Sequence, residues 1–295
     1  MYSEKSVSLT KGNCTKIRAG FLIIFSLCIA CSVQKEIRKS DWATLNLSGK
    51  IKSIRQIPQH IPTKFGKYLI GEPWPYVEDN SVLFFDESGR LIEKRLFYNN
   101  GTKYSKEMYY YNEDGNRFKE VLYNQNGSIG SRIIYTFDRK GQITQSECLN
   151  YLGVNYIYKY DNRGNRIEAH KYYGDGNLYF QATYVYDKKG NRIEEQIFTS
   201  EGKLFSKWKY QYDESGNRII KERYLPNDRP DCKLVYEYDE NHNKTHWKNF
   251  GPDGQLISQG TYVYEYDKHG NWTKKTKMEN SEPIYILRRE IEYFE

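Results

Sequence analysis

The chain has 295 residues, 38% of them hydrophobic, and a mean hydropathy of −0.87, which excludes a protein built mainly of membrane-spanning helices. With 29 Tyr, 13 Phe and 5 Trp it is 16% aromatic, too rich in core-forming side chains for a disordered chain. Residues 1–31 hold four basic residues and one acidic one, so their removal lowers the net charge from +7 to +4. The remaining basic residues form no block, and we expect no nucleic-acid partner.

The first 31 residues have the composition of a targeting segment. A basic stretch precedes the apolar run 19–30, and its 12 residues are fewer than the roughly 20 that span a bilayer. The run ends in Leu27-Cys28-Ile29-Ala30-Cys31, which resembles a lipobox. The resemblance implies lipidation of Cys31 and a mature lipoprotein held on a membrane by its acyl chains. Ser32 fits sorting to the outer membrane, with the protein facing the periplasm or the cell surface. An ordinary cleaved signal or a short anchor is the alternative.

An internal repeat governs most of the chain. We interpret residues 32–48 as a linker, residues 49–79 as an N-terminal strand and loop, and residues 80–295 as one repeat domain. Strings such as YDNRGNR (160–166), YDKKGNR (186–192) and YDESGNR (212–218) recur eight times, at steps of 23 to 28 residues. Their turn positions are Gly89, Gly115, Gly141, Gly164, Gly190, Gly216, His242 and Gly270. A second turn series between them comprises Gly101, Gly127, Gly153, Gly176, Gly202, Asp228, Gly254 and Asn280. Each repeat therefore holds two strands and two turns, which predicts an all-β antiparallel meander.

The turn strings have a direct chemical rationale. In D-x-x-G the Asp side chain accepts hydrogen bonds from the backbone two residues on, and the Gly supplies a left-handed backbone conformation. We therefore assign structural turn roles to Asp161, Asp187, Asp213, Asp239, Asp267, Gly115, Gly164, Gly190, Gly216 and Gly270.

Aromatic side chains fall into columns in the same register. Tyrosines recur one and three residues before each turn Asp, as at Tyr184 and Tyr186, and a spacing of two places both columns on one face of the sheet. We interpret these columns as core, with partial exposure on a concave, sugar-binding face as the alternative. Trp208, Trp247 and Trp272 break the pattern and are our candidate ligand-binding residues.

A basic residue follows most of the turns. It is found at Arg117, Arg166, Arg192, Arg218 and Lys244. Packing of the cation on a tyrosine of the same hairpin is the favoured interpretation, because the residue travels with the turn motif. A basic strip for acidic glycans is the alternative.

The motif Y-x-Y-D-x-x-G-N-R, present at 158–166, 184–192 and 210–218, resembles the YD repeat of the Rhs family. The resemblance covers roughly residues 80–273, and it implies spiralling β-sheets or shells. The segment 47–54 also resembles the start of Bacteroidetes YD-repeat lipoproteins. Because the repeats are few, we expect a twisted, curved open sheet or a partial shell. Only residues 273–295 follow the last repeat, so we expect no toxic effector domain.

Signals for enzymatic chemistry are weak. The chain has no nucleophile elbow, phosphate loop or paired Cys and His nucleophile, and we expect no enzyme activity, catalytic residue or cofactor. His242 and His246 lie in and after a turn without a helix to converge them, so we expect no metal site. Cys148 and Cys232 lie seven strands apart in this register and should not form a disulfide unless the sheet closes.

We therefore expect a non-enzymatic envelope lipoprotein that serves as a scaffold or binding surface, with a glycan or an envelope protein as its partner. A carbohydrate-binding module for surface polysaccharide and a toxin-associated shell or immunity component are the alternatives.

Overall fold

The computed structural model describes residues 40–60, 79–98, 100–149 and 153–295. The predicted signal peptide, the lipidation site Cys31 and most of the predicted linker lie outside the described residues. A four-residue helix, α1 (Asp41–Thr44), lies within the predicted linker, and a 3₁₀-helix forms at Pro226–Asp228. In the described ranges no helix is long and apolar enough to cross a membrane.

Eighteen antiparallel strands make up the described fold. The first nine are β1 (Ile51–His60), β2 (Ser81–Phe85), β3 (Leu91–Phe97), β4 (Lys103–Tyr111), β5 (Arg117–Tyr123), β6 (Ile129–Phe137), β7 (Ile143–Leu149), β8 (Asn155–Tyr160) and β9 (Arg166–Tyr172). The others are β10 (Leu178–Tyr186), β11 (Arg192–Thr199), β12 (Leu204–Tyr212), β13 (Arg218–Leu225), β14 (Arg229–Tyr238), β15 (Lys244–Phe250), β16 (Leu256–Tyr266), β17 (Trp272–Glu279) and β18 (Glu282–Tyr293). The predicted all-β antiparallel meander is confirmed.

The sheet closes into an 18-stranded barrel, so the prediction of an open sheet or partial shell is wrong. Each strand pairs with its neighbours in sequence, and β1 pairs with β18 on one side and β2 on the other. Closure satisfies the backbone N–H and C=O groups that both edges of an open sheet would leave unpaired. A register shift at the repeat turns, as between Val185 and Tyr186, adds the local bending that a closed sheet needs.

The repeat turns have the backbone geometry that their sequence favours. Asp187 Oδ1 accepts hydrogen bonds from the amides of Lys189 (2.9 Å) and Asn191 (2.8 Å), and Gly190 has φ +85°. Where glycine is missing, Asp228 and His242 also adopt positive φ, at 56° and 61°. We call the turns of the D-x-x-G series the primary turns; they all lie at one end of the barrel.

Alternation along the strands separates an inner face from an outer face. On β10, Tyr184 is only 7% exposed, whereas its neighbour Val185 is 49% exposed. The cross-strand partners extend this pattern around the ring, since Tyr184 faces Glu195 and Val185 faces Glu194. The tyrosine columns therefore line the inside of the barrel, and the interpretation of these columns as core is confirmed.

Residues 40–50 cross the primary-turn end of the barrel. Asp41 accepts hydrogen bonds from the Leu91 amide (2.7 Å) and the Tyr111 hydroxyl (3.1 Å). Farther along the segment, the Asn46 side chain donates to the carbonyl of Asn241 (2.7 Å), in the turn between β14 and β15. Because β4 and this turn lie on nearly opposite sides of the ring, the segment spans that end before it enters β1.

Candidate functional site

The basic residues that follow the turns stack between tyrosines of successive hairpins. The Arg192 guanidinium carbon lies 5.3 Å from the ring centres of both Tyr184 and Tyr210. Arg218 continues the series over Tyr210, at 5.2 Å. The cation–π interpretation of this column is therefore confirmed. These arginines are part of the barrel lining.

In two repeats an inner-facing glutamate neutralises this arginine. Glu195 lies three residues after Arg192 and 3.4 Å from it, and it accepts a hydrogen bond from the Tyr210 hydroxyl at 2.9 Å. An equivalent group consists of Arg117, Glu120 and Tyr135. The glutamate thus satisfies both the guanidinium of its own strand and the phenol of the next repeat.

Three other repeats carry a lysine where this glutamate would stand, at Lys94, Lys221 and Lys275. Lys221 pairs across the sheet with Tyr210, as Glu195 pairs with Tyr184. Three further inner-face cations lie near Lys221 and Lys275, one each on β15, β17 and β18. We call the following five residues the lysine cluster: Lys221, Lys244, Lys275, Lys277 and Arg289.

Among the residues that the structure describes, no member of the lysine cluster forms an ion pair, in contrast to the nearby pairs Arg223–Asp231 and Lys274–Glu265. Burial, and then the charge of Arg218, lower the pKa of Lys221 to about 8. Burial, Arg218 and the other lysines of the cluster lower the pKa of Lys244 to about 8 as well. The fold therefore concentrates positive charge that the protein itself leaves uncompensated.

The remaining three members show the same trend. Burial lowers the pKa of Lys275, of Lys277 and of Arg289, the last to about 9. Carboxylates also act on this part of the cluster, since Asp79 favours the charged forms of Lys275 and Arg289, and Glu279 favours that of Lys277. Burial outweighs these attractions at all three residues.

The three candidate tryptophans lie on the inner face, beside this cluster. Lys221 Nζ lies 4.1 Å from the ring centre of Trp208, and Lys277 Nζ lies 4.0 Å from that of Trp247. The Arg289 guanidinium lies 3.5 Å from Trp272. The structure thus brings each indole together with a cation, an arrangement that favours an anionic ligand over a neutral sugar stacked on that face.

The predicted turn residues lie at the primary-turn end, away from the middle of the inner face. The glycines have the following φ angles: Gly115 75°, Gly164 91°, Gly190 85°, Gly216 85° and Gly270 82°. The turn aspartates accept backbone amide hydrogen bonds at Asp161, Asp187, Asp213, Asp239 and Asp267. Asp267 also accepts a hydrogen bond from the Tyr293 hydroxyl of β18.

The histidines and cysteines do not assemble a second site in the described ranges. His242 contacts Asn217 (2.8 Å), and His246 lies 3.2 Å from Glu237 on the outer face. Over these residues, no group of three or more potential metal ligands comes together. Cys148 is a free thiol, so the closed sheet does not join it to Cys232.

A cavity of about 440 Å³ opens between β13, β14 and β15, near the end opposite the primary turns. Its lining includes Arg223, Cys232 and Phe250. Arg223 is paired with Asp231, so this cavity has less uncompensated charge than the lysine cluster.

Sequence reasoning did not identify the lysine cluster, although a signal was present. The inner position five residues after the turn glycine is glutamate in two repeats, at Glu120 and Glu195, and lysine in three others, at Lys94, Lys221 and Lys275. A comparison of repeats would have revealed this reversal of charge. Its consequence depends on the closed ring, because closure places these lysines on an inner face where they are only partly exposed to water.

No family model matches the chain, and no curated protein matches it. Among solved structures, a porin-like protein from Bacteroides uniformis is similar over 83% of this chain and 98% of its own, with 10% identity and a TM-score of 0.41. A porin-like protein from Bacteroides vulgatus has the same coverage, 15% identity and a TM-score of 0.39.

The Tc holotoxin pore of Photorhabdus luminescens is similar over 70% of this chain and 11% of its own, with 15% identity and a TM-score of 0.34. The region of similarity is a small part of that toxin chain. The likeness in all three cases is distant and architectural.

Proposed function

We propose that this protein is a lipid-anchored, non-enzymatic binding protein of the cell envelope, and that its ligand binds on the inner face of the barrel. The observation that carries the proposal is a local difference in how charge is compensated. Carboxylates pair Lys159 and Lys274 on the outer face, and Arg117 and Arg192 on the inner face. The lysine cluster has no such partner among the described residues.

The outer face supports a barrel that stands in water. Ion pairs occupy outward positions within the strands, including Lys159–Glu168 at 2.7 Å and Lys274–Glu265 at 2.6 Å. A lysine or arginine in contact with the middle of a bilayer costs about 2–4 kcal/mol, so such a surface suits an aqueous phase. Attachment to a membrane would then depend on the lipid at Cys31.

The position of the N-terminal segment supports this orientation. Residues 40–50 lie across the primary-turn end of the barrel. Cys31 is only nine positions before Ser40, the first residue of this segment. A lipid on Cys31 would hold that end towards the membrane. The opposite end would then point away from the membrane, and the ligand would enter the barrel there.

The anchor is tested by fractionating cells that express the wild-type protein or Cys31→Ala. We expect the wild type with the membranes and the variant in the soluble fraction, because several acyl chains are needed for stable attachment. An unchanged distribution would contradict the anchor.

Binding is tested with the purified full-length protein by titrating envelope polysaccharides, both neutral and acidic, and following tryptophan fluorescence. A ligand that reaches the inner face should change the emission of Trp208, Trp247 or Trp272, which lie there beside cations. The absence of any response to the whole panel would overturn the binding function and leave a scaffold.

A further inference from the structure

We propose that the lysine cluster binds a multiply charged oxyanion, namely a free phosphate or sulfate ion, a phosphate group carried on a sugar, or several sulfate groups carried on one glycan. This inference rests on the proposed binding function and specifies its ligand. Its basis is the placement of Lys221, Lys244, Lys275, Lys277 and Arg289 on one stretch of the inner wall, from β13 to β18, without an ion pair to any described residue.

The cross-strand register defines this part of the wall. Lys275 and Lys277 are inward-facing neighbours on β17, where they pair with Tyr264 and Tyr262 of β16. Lys244 begins β15, two strands away, and its Nζ lies 3.7 Å from the Tyr236 ring centre. Strands two apart are separated by roughly 10 Å, within reach of two lysine side chains and one bridging anion.

Hydrogen-bond donors without acceptors provide a second, independent observation. The Trp247 side chain is nine-tenths buried, with 7% of the residue exposed, and its indole Nε1 has no hydrogen-bond partner in the described part of the chain. The buried Arg289 Nη1 likewise lacks an acceptor there, although Arg289 Nε donates to Gln56 at 3.2 Å. Buried donors are normally satisfied, and the anion supplies the missing acceptors.

One phenol of this region also lacks the carboxylate partner found in other repeats. Tyr135 and Tyr210 donate to Glu120 and Glu195 at 2.9 Å, but the matching Tyr236 faces the repeat in which lysine replaces that glutamate. Tyr236 makes no hydrogen bond to any residue within the described ranges. An oxyanion beside Lys221 would take the place of the missing carboxylate.

The nearest carboxylates do not neutralise the cluster. Glu195 is already bound to Arg192 and Tyr210, and Asp79 accepts a hydrogen bond from Tyr285. Glu279 acts on Lys277 alone among the lysines. A ligand with two or more negative charges suits this surplus better than a single carboxylate.

The test is isothermal titration calorimetry of the full-length protein in a buffer free of phosphate and sulfate. The probes are inorganic phosphate, inorganic sulfate, glucose 6-phosphate, dextran sulfate, chloride and glucose. We expect the four multiply charged probes, phosphate, sulfate, glucose 6-phosphate and dextran sulfate, to bind, and we expect no binding of glucose or chloride. Tighter binding of glucose 6-phosphate or dextran sulfate than of the inorganic ions would identify a sugar-borne group.

Two charge-removing variants locate the site. Lys244→Met and Lys277→Met should each weaken phosphate binding by roughly tenfold or more, because a charged hydrogen bond is lost. Without anion, both variants should melt at a higher temperature than the wild type, since an uncompensated buried charge is removed. Loss of binding with gain of stability separates a ligand-binding role from a structural one.

Two lysines outside the cluster serve as matched controls. Lys209 lies on the outer face over Tyr224, and Lys171 lies on the inner face of β9, 4.7 Å from Tyr179. Lys209→Met and Lys171→Met alter the net charge equally and should bind phosphate like the wild type. Equal weakening in all four variants would reveal a diffuse charge effect and overturn the site.

Other outcomes separate this inference from the proposed function. Binding of a neutral polysaccharide without any response to the divalent anions would overturn the oxyanion site and preserve the binding function. Failure of every probe, including the envelope polysaccharides, would overturn both.

Discussion

At the scale of single residues, tyrosine hydroxyls link one repeat to the next. Tyr186, Tyr212 and Tyr238 each lie just before a primary turn and donate to a backbone carbonyl 20 residues earlier. The acceptors are the carbonyls of Arg166, Arg192 and Arg218, at 2.9, 2.9 and 3.0 Å. Because each acceptor begins the return strand of the preceding repeat, a single phenol fixes the spacing between two hairpins. A phenylalanine fills the same space without making this link.

We predict that Tyr212→Phe lowers the free energy of unfolding by about 1 kcal/mol, because it leaves the Arg192 carbonyl without its hydrogen bond. Tyr266→Phe is the matched control, since Tyr266 is 43% exposed and its hydroxyl accepts from Asn243. Urea denaturation followed by circular dichroism measures both. Equal losses in the two variants would mean that the carbonyl link does not matter.

At the scale of the elements, one position in the return strand decides whether a hairpin is electrically balanced. On β5 and β11 this position is Glu120 or Glu195, which compensates an arginine of its own strand. On β13 this position is Lys221, which adds a second positive charge beside Arg218. Burial, and then the charge of Arg218, lower the pKa of Lys221. The charge at this position is thus compensated on β5 and β11 and uncompensated on β13.

We predict that Lys221→Glu gives β13 the compensated arrangement of β11 and stabilises the barrel. The new carboxylate would lie beside Arg218 and Tyr236, as Glu195 lies beside Arg192 and Tyr210. A charge-assisted pair of this kind contributes about 1–2 kcal/mol, which corresponds to a melting temperature higher by several degrees. Differential scanning calorimetry measures the change, and phosphate binding should be lost at the same time. A lower melting temperature would refute the equivalence of these positions.

At the scale of the whole molecule, closure of the ring brings the inner-face cations into a shared interior with little water. Lys244 faces Arg218 and Lys221 from β13, Tyr236 from β14 and Lys275 from β17. On an open sheet these groups would be hydrated on one side. Inside the barrel they lose water and repel one another, so their charged forms oppose folding.

This burial predicts how stability depends on pH. Lys221 and Lys244 have a pKa of about 8 in the folded protein and 10.5 ordinarily, so the unfolded chain binds more protons between these values. Stability should therefore rise between pH 7 and pH 9, by roughly 1 kcal/mol for each lysine. Above pH 10 it should fall, because burial raises the pKa of tyrosines such as Tyr238, to about 12, and the unfolded chain then loses protons first.

Urea denaturation between pH 7 and pH 11, in a buffer without divalent anions, measures this profile. The double variant Lys221→Met/Lys244→Met is the control and should lose most of the rise below pH 9. Saturating phosphate at pH 7 should mimic the effect of higher pH, since it compensates the same charges. A wild-type profile that falls between pH 7 and pH 9 would contradict the cluster.

Much of the architecture could be predicted locally. The D-x-x-G strings define turns such as Asp187 to Gly190, and the tyrosine spacing defines the inner face on which Tyr184 lies. The closure could not be predicted this way, because it depends on the pairing of β1 with β18, which are far apart in sequence. The candidate site was predicted only in part. The inner tryptophans were named, whereas the lysines beside them look like ordinary solvated residues until the ring closes.

The sequence by itself determined the strands, the turns and the ladder of tyrosine and arginine, since each repeat encodes them through contacts within about 20 residues. Only the tertiary structure decided that the two ends of the sheet meet, and with it which face excludes water. That decision turns Lys221, Lys244 and Lys275 from surface charges into an uncompensated cluster, because desolvation depends on what surrounds a residue in space.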